Sequence, residues 1–232
     1  MASATSRTAP RPPSIFVLAG CNGAGKSSVG GAGFRVLGAD YFNPDEAAAK
    51  IAAANAHRSA RLSQQAVNAA AWEEGRRLLE RAIDERLDFA FETTLGGRTI
   101  TELLERAVAD DIAVHVWFVG LATVELHLAR IRQRVAKGGH AIPEAKVRER
   151  YRSGRENLIR LLPGLARLRL FDNSTEANAN RGNVPAPRLL LEVGYGRIEA
   201  PRRLGRLMAD TPQWAKPIVA AALKVHLRKQ DP

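Results

Sequence analysis

The residues with the clearest chemistry lie near the amino terminus, where a short apolar run leads into a glycine-rich turn. Ile15 to Ala19 is apolar, and Gly20, Gly25, Lys26 and Ser27 follow in the spacing of a phosphate loop. Glycines in such a turn let successive backbone N–H groups point inward at a phosphate. Lys26 would contact the β- and γ-phosphates, and the Ser27 hydroxyl would ligate Mg²⁺. The motif therefore predicts a site for a nucleoside triphosphate.

The expected cofactors are ATP and Mg²⁺, and the loop supplies their binding residues. The predicted nucleotide-binding residues are Gly20, Cys21, Asn22, Gly23, Ala24, Gly25, Lys26, Ser27 and Ser28. Ser27 is the predicted metal ligand. No His/Cys spacing suggests a metal cage, and no Ser-His-Asp order can be recognised.

Two acidic residues follow apolar stretches, at positions where open α/β sheets hold their ligands. Asp40 follows Phe34 to Leu37, the predicted second strand, and could take a proton from a substrate hydroxyl as the γ-phosphoryl group leaves ATP. Glu92 follows Phe89 to Phe91, the predicted third strand, and could hold a substrate hydroxyl or a metal-bound water. A turn-forming or capping Asp40 and a capped strand end at Glu92 are the open alternatives.

The positive charge of the chain is concentrated in one stretch. The formal net charge is +11, and residues 130–170 hold twelve Lys or Arg against three Glu, which gives +9. Helical periodicity places Arg130 and Arg134 on one face, with Arg132 pointing away. In the next predicted helix, Arg150 and Asn157 flank the apolar stripe and can face a site. Three alternatives remain open: phosphate handling, nucleic-acid binding, or a solvated helical face.

Phosphate handling fits the phosphate loop best. Arginines on a helical pair suit the charge on a transferring phosphoryl group, and Gly138-Gly139 would be the hinge that lets the pair close. Arg152 and Arg160 lie on the far side of their helix and are expected to be solvated.

The order of elements predicts a parallel α/β sheet with crossover helices. Further strands are expected at Ala113 to Val119, Leu168 to Phe171 and Leu189 to Val193. Helices are expected at Pro44 to His57, Ser59 to Leu87, Ile100 to Ala109, Val124 to Ala136, Ala145 to Leu162 and Trp214 to Leu227. We expect a disordered leader over residues 1–13 and one domain over 14–232. Within that domain, a lid would span about 130–160 and a C-terminal embellishment about 187–232.

Composition narrows the class of protein. The single cysteine, Cys21, lies inside the loop, so no disulfide framework exists, and a reducing, cytoplasmic compartment is expected. No apolar run reaches membrane-spanning length, so no membrane partner is expected. Trp72, Trp117 and Trp214 fall within helix or strand patterns, which predicts that they pack in the core.

Five motifs occur in order between about Ile15 and Ser174: GCNGAGKSS, LGADYFNPD, FETTLGGR, RVAKGGHAIPEAKVRERYRSGRENL and LFDNST. Together they resemble the zeta-toxin-like P-loop kinases. The resemblance implies a three-layer α/β sandwich of the P-loop kinase type with strand order 2-3-1-4-5. It also implies phosphorylation of the amino-sugar hydroxyl of UDP-N-acetylglucosamine by ATP, and an antitoxin protein as a partner.

The resemblance also implies roles for individual residues. It would make Asp40 the base and Lys26 and Ser27 the ATP and Mg²⁺ residues. Glu92, Thr94 and Arg98 would contact the substrate, and Arg134 and Arg150 would be the transition-state clamps. Two alternative functions stay open: a kinase acting on a nucleotide or a nucleic-acid end, and an ATP-dependent switch that binds RNA or protein.

Overall fold

The computed structural model describes residues 11–29, 40–55, 62–175 and 185–230. A seven-stranded sheet forms its centre, in the order β2-β3-β1-β4-β5-β6-β7. The strands are β1 (Ser14–Ala19), β2 (Asp40–Phe42), β3 (Phe89–Thr93), β4 (Ala113–Gly120), β5 (Arg167–Asp172), β6 (Arg188–Gly194) and β7 (Arg197–Ala200). The first five are parallel, and β6 and β7 are antiparallel. The order 2-3-1-4-5 is therefore confirmed, and the antiparallel pair β6–β7 extends it.

Seven α-helices accompany the sheet in the described residues. They are α1 (Pro44–Ala54), α2 (Gln64–Asp84), α3 (Arg98–Ala109), α4 (Val124–Ala136), α5 (Glu144–Leu161), α6 (Leu207–Asp210) and α7 (Lys216–Arg228). Sequence periodicity locates all of them except α6 to within a few residues. The start of α1 is fixed locally, because the Asn43 side chain accepts a hydrogen bond from the Asp45 N–H at 2.9 Å and Pro44 occupies the first turn.

The core lies on both faces of the sheet because side chains alternate along each strand. On one face, Ile15 and Val17 of β1 pack with Leu104 of α3 and Leu158 of α5. On the other face, Leu18 joins a smaller cluster that includes Ala90 and Val119. The strands are thus apolar on both sides, as expected for a parallel sheet covered by helices.

The antiparallel extension is held by the last helix. The Ile198 N–H of β7 donates to Nδ1 of the buried His226 on α7 at 3.1 Å. Trp214, which precedes α7, is 4% exposed and donates through Nε1 to Asp172 Oδ1 at 3.2 Å. The core position predicted for Trp214 is therefore confirmed.

One sequence-based expectation is wrong, and another falls on residues that the structure does not describe. Phe34 to Leu37, the predicted second strand, lies outside the described residues, and the strand that the structure shows next to β3 begins at Asp40. Asp40 therefore lies within the described part of β2, Asp40–Phe42. The core position predicted for Trp72 is wrong, since 46% of the surface of this residue is exposed. The buried stripe of α2 passes through Val67, Ala71 and Leu79 instead.

No helix within the described parts of the chain is both long enough and apolar enough to cross a membrane.

Candidate active site

The phosphate loop connects β1 to a short 3₁₀ turn, Lys26–Ser28. Its start is anchored to the neighbouring strand, since the Gly20 N–H donates to the Thr93 carbonyl of β3 at 3.2 Å. Gly25 has φ of +81°, and a Cβ there would lie 2.3 Å from Asn173 Nδ2. Only glycine meets both demands. The loop is therefore built with the backbone conformation and close approach that a phosphate cradle requires.

Asn173 supports the loop from the end of β5. Its Nδ2 donates to the Ala24 carbonyl at 2.9 Å, and its own carbonyl accepts from Arg130 Nη2 at 2.8 Å. Asn173 belongs to the LFDNST motif, but sequence reasoning gave it no role. It links the loop to an arginine of α4.

Lys26 is nearly buried and faces an acidic partner. Its Nζ donates to the Gly20 carbonyl at 2.8 Å and lies 3.4 Å from Glu92 Oε1. Tyr41 donates its hydroxyl proton to Glu92 Oε2 at 3.2 Å. Glu92 therefore stands beside the loop lysine.

Asn22, at the tip of the loop, is held by two helices. Its carbonyl accepts from His127 Nδ1 of α4 at 2.8 Å, and its side-chain oxygen accepts from Arg150 Nη1 of α5 at 2.9 Å. Burial lowers the pKa of His127 to about 4, so the ring is neutral at neutral pH and carries its proton on Nδ1. His127 was not singled out from the sequence, because its partner is a main-chain atom 105 residues away.

Three arginines of the helical pair α4–α5 line one cavity together with the loop: Arg130, Arg134 and Arg150. Arg134 donates to the His140 carbonyl at 3.3 Å and lies 3.7 Å from Asp45 Oδ2. Arg134 and Arg150, the two clamps implied by the resemblance, thus lie at the cavity. Arg130, which shares the face of Arg134, lies there as well.

The outward arginines behave as their helix positions indicate. Arg152 is exposed and lies 3.9 Å from Glu156 on the same helix. Arg160 pairs with Glu105 of α3. Elsewhere in the basic stretch, Arg148 pairs with Glu144 and with Glu125. Much of the positive charge of the stretch is therefore matched by carboxylates, which is the pattern of a salt-bridged helical face.

The predicted substrate contacts divide into two groups. Glu92 and Thr94 line the cavity, and the loop that follows them is fixed because Asn157 Nδ2 donates to the Leu95 carbonyl at 2.8 Å. Arg98 is 84% exposed and pairs with Glu102 at 2.9 Å along the surface of α3. The structure therefore brings Glu92 and Thr94 to the site and turns Arg98 towards solvent.

Two aspartates, Asp40 and Asp45, lie on or directly after β2, the strand next to the one that carries Glu92. The backbone of Asp40 pairs with Phe89, three residues before Glu92 on β3. At about 3.3 Å per residue this is roughly 10 Å from the level of Glu92. Asp45, in the first turn of α1, lines the cavity. Sequence reasoning selected Asp40 and passed over Asp45.

The cavity has a volume of about 800 Å³ and is rich in charge. Six Lys or Arg residues line it against three acidic residues. No cluster of three His, Cys, Asp or Glu able to hold a metal occurs in the described chain. The donor set fits Mg²⁺ held by the Ser27 hydroxyl and substrate phosphates, which is how Mg²⁺ is usually bound in kinases.

Cys21 fills space under the loop. It is 4% exposed, its Sγ donates to the Val147 carbonyl at 3.5 Å, and burial raises the pKa of its thiol. An inert, protonated thiol follows, so Cys21 contributes packing rather than reactivity.

The fold is of the P-loop kinase class. Three features define it: a phosphate loop after the first strand, the strand order 2-3-1-4-5, and an arginine-bearing helical pair over the loop. The sequence matches the model of the Zeta toxin family over residues 2–178. The chain therefore belongs to the zeta toxin family.

One relative and two solved structures illustrate the range of similarity. An uncharacterized protein of Haemophilus influenzae (strain ATCC 51907 / DSM 11121 / KW20 / Rd) is 33% identical over 135 residues, which is 57% of this chain and 88% of that protein. A chain from the AvrRxo1-ORF1:-ORF2 crystal structure with ATP superposes with a TM-score of 0.62 at 16% identity. It covers 91% of this chain, which in turn spans 64% of that chain.

The PezAT toxin-antitoxin system of Streptococcus pneumoniae gives a TM-score of 0.51 at 13% identity, covering 99% of this chain and 92% of that one. At such low identities the two structural likenesses show the fold alone.

Proposed function

We propose that the protein is an ATP-dependent phosphotransferase that adds a phosphate to a hydroxyl of UDP-N-acetylglucosamine and acts as a zeta-type toxin. One observation carries the proposal: the phosphate loop, three arginines of α4–α5 and Glu92 line the same cavity. A site that only bound ATP as a switch would not need a carboxylate beside the loop lysine and arginines opposite it.

The donor half of the site is formed by the loop. Its N–H groups and Lys26 would hold the β- and γ-phosphates, and Lys26 would exchange Glu92 for a phosphate oxygen when ATP binds. When bound beside Ser27, Mg²⁺ would neutralise charge that develops between the β- and γ-phosphates. The AvrRxo1 relative, which was crystallised with ATP, supports ATP as the donor.

The three arginines would stabilise the phosphoryl group during transfer. Guanidinium groups offer several donors in a fixed plane, which suits the equatorial oxygens of that group. Arg150 also holds Asn22, so the position of α5 is coupled to the tip of the loop. Gly138 and Gly139, between α4 and α5, would allow the pair to close over ATP.

On the acceptor side, Glu92 would bind the acceptor, and a second carboxylate would take the proton of the reacting hydroxyl. Asp40 is the proposed base, on the strength of the family motif LGADYFNPD. Asp45 is a second candidate, because it lines the cavity and lies 3.7 Å from Arg134 Nη1. Asn variants of the two carboxylates distinguish them, since the amide keeps the size but removes the proton acceptor.

Family membership supports UDP-N-acetylglucosamine as the acceptor and an antitoxin protein as a partner. The PezAT relative belongs to a chromosomal toxin-antitoxin system, which agrees with such a partner. A reducing, cytoplasmic setting is proposed from the single buried thiol.

The test is to incubate the protein with Mg²⁺-ATP and a panel of UDP-sugars, nucleosides and 5′-hydroxyl RNA, and to identify phosphorylated products by mass spectrometry. We expect one phosphate on UDP-N-acetylglucosamine and no product with Lys26→Ala. Arg98→Ala, at a residue turned to solvent, is the matched control and should retain transfer. A product on RNA or a nucleoside alone would contradict the proposed acceptor.

A further inference from the structure

Two carbonyl groups of the phosphate loop are held by side chains that lie behind the loop. The Asn22 carbonyl accepts from His127 Nδ1 of α4 at 2.8 Å, and the Ala24 carbonyl accepts from Asn173 Nδ2 at 2.9 Å. Neither His127 nor Asn173 lines the active-site cavity. Both side chains therefore approach the loop from the side that faces away from the cavity.

The planar peptide bond converts these contacts into directions for two N–H groups. In a trans peptide, the carbonyl of one residue and the N–H of the next point in opposite directions. In the described chain the cis peptide bond is the one before Pro201, so both loop peptides are trans. Because the Asn22 carbonyl points at α4, the N–H of Gly23 points away from α4. The N–H of Gly25 points away from the side chain behind it in the same way, and both glycines line the cavity.

The N–H groups of Gly23 and Gly25 are available to a ligand. Within the described part of the chain, neither of them donates to a protein group. The two residues have φ of +79° and +81°, and turns with such left-handed residues gather N–H groups into a concavity that binds anions. The loop therefore presents two donors to phosphate oxygens, and the side chains behind it set their directions.

Helix α4 packs directly against the loop at this point. A Cβ at Gly23 would lie 2.9 Å from the His127 carbonyl oxygen and 3.3 Å from Ile131 Cγ1. The loop main chain therefore lies within reach of a side chain from the same turn of α4. Arg150 of α5 also contacts Asn22, but it donates to the side-chain oxygen and so does not orient the peptide. The contact that orients the peptide is the one from His127.

The His127 ring is buried for the sake of this one hydrogen bond. The residue is 1% exposed, and its ring meets the ring of Tyr151 edge-on with 5.5 Å between the centroids. No protein group in the described residues pairs with its other nitrogen, Nε2. A buried polar atom without a protein partner costs stability that an aliphatic side chain would not cost. The contribution of this histidine therefore lies in what Nδ1 does for the loop.

We propose that His127 is a positioning residue of the nucleotide site: by holding the Asn22 carbonyl, it directs the Gly23 N–H at a phosphate of ATP. Asn173 acts in the same way on the second peptide. The inference rests on the donor half of the proposed function and deepens it, since it names the groups that shape the phosphate cradle from behind. Without the bond from His127 the peptide can rotate, and ATP must bind a loop that is no longer preorganised.

The test is a calorimetric titration of ATP, and separately of inorganic triphosphate, into the wild type and His127→Leu in the presence of Mg²⁺. We expect both ligands to bind His127→Leu roughly tenfold more weakly, which is the effect of one hydrogen bond. The factor should be the same for both, because the contact concerns phosphate and not the base. His127→Asn, whose NH₂ group can occupy the position of Nδ1, should restore most of the affinity.

The matched control is His226→Leu. His226 is also buried and also bonds to the main chain through Nδ1, but its partner is the Ile198 N–H of β7. This variant should lose stability in urea denaturation and keep the wild-type affinity for both ligands. Equal affinity in the wild type and His127→Leu would overturn the proposal. A loss of affinity that His226→Leu shares, or that His127→Asn does not restore, would overturn it as well.

A measurement on the wild type decides the case in which His127→Leu does not fold. The amide resonances of Gly23 and Gly25 are followed by NMR while a non-hydrolysable ATP analogue and Mg²⁺ are added. Both should move downfield, because each N–H would donate to a charged oxygen. Gly205, which does not line the cavity, should keep its resonance. A Gly23 resonance that does not respond to the bound nucleotide would overturn the proposal.

Neither measurement needs an acceptor, so the two proposals can fail separately. If UDP-N-acetylglucosamine is not phosphorylated but ATP affinity depends on His127, the proposed acceptor fails and the positioning role stands. If transfer occurs and His127→Leu binds ATP as tightly as the wild type, the positioning role fails and the kinase stands.

Discussion

Acidification from pH 7 to pH 5 is expected to lower the free energy of unfolding by about 2 kcal/mol through His127 alone. The ring is 1% exposed, and burial lowers its pKa from 6.5 to about 4. The unfolded chain therefore takes up a proton on this ring between pH 6.5 and 4, while the folded chain stays neutral. Stability from His127 is complete above pH 6.5 and is lost as the pH falls towards 4.

The assay is urea denaturation at pH 7 and pH 5 for the wild type and His127→Gln. Glutamine offers an N–H donor to the Asn22 carbonyl but does not titrate, so this variant should lose about 2 kcal/mol less than the wild type over the same interval. The difference between the proteins removes the contributions of all other titrating groups. An identical loss in both proteins would show that His127 is not held neutral by burial, and would refute the reasoning.

Two further predictions concern the phosphate site. Alanine at any of the three arginines of α4–α5 that line the cavity should lower kcat by about 10² to 10³ with little change in ATP affinity, because the charge that the arginine meets develops mainly during transfer. Transfer rates and ATP titrations of Arg130→Ala, Arg134→Ala and Arg150→Ala test this. Arg152→Ala, at an exposed position, should stay near the wild-type rate. Asn173→Ala should leave the Ala24 carbonyl without its donor and weaken ATP binding by roughly tenfold, since a lost buried hydrogen bond costs about 1–3 kcal/mol. Unchanged ATP affinity in a calorimetric titration would show that Asn173 does not shape the loop.

The sequence is enough to locate the phosphate loop and the faces of α4 and α5, and the family resemblance supplies the strand order. The loop and the helix faces depend on local spacing, either of glycines in a turn or of arginines at helical period. Helical period alone therefore places Arg130 and Arg134 on the cavity face of α4, and it places Arg132, which is exposed, away from that face. The turn at Gly194-Tyr195-Gly196 can be recognised in the sequence too. The strand that follows it, β7, cannot, because its four residues are too few for a clear period-two pattern.

What the sequence does not reveal depends on long-range packing. Trp72 fits a helical apolar pattern, but which face of α2 is buried depends on where α2 meets Phe42. His127 and Asn173 act through main-chain carbonyls of the phosphate loop, and a carbonyl leaves no signature in the sequence. Arg98 sits at the first turn of α3, where it is exposed and pairs with Glu102. Its distance from Glu92 along the chain does not reveal that direction.

The proposed function depends on phosphoryl transfer with a carboxylate base, and the most direct measurement is the rate of transfer from γ-labelled ATP to UDP-N-acetylglucosamine. The wild type is compared with Asp40→Asn and Asp45→Asn at saturating ATP. We predict that Asp40→Asn binds ATP normally and transfers about 10² to 10⁴ times more slowly, while Asp45→Asn stays within a few-fold of the wild type. A wild-type rate of transfer in both variants, or no transfer by the wild type, would contradict the proposed function.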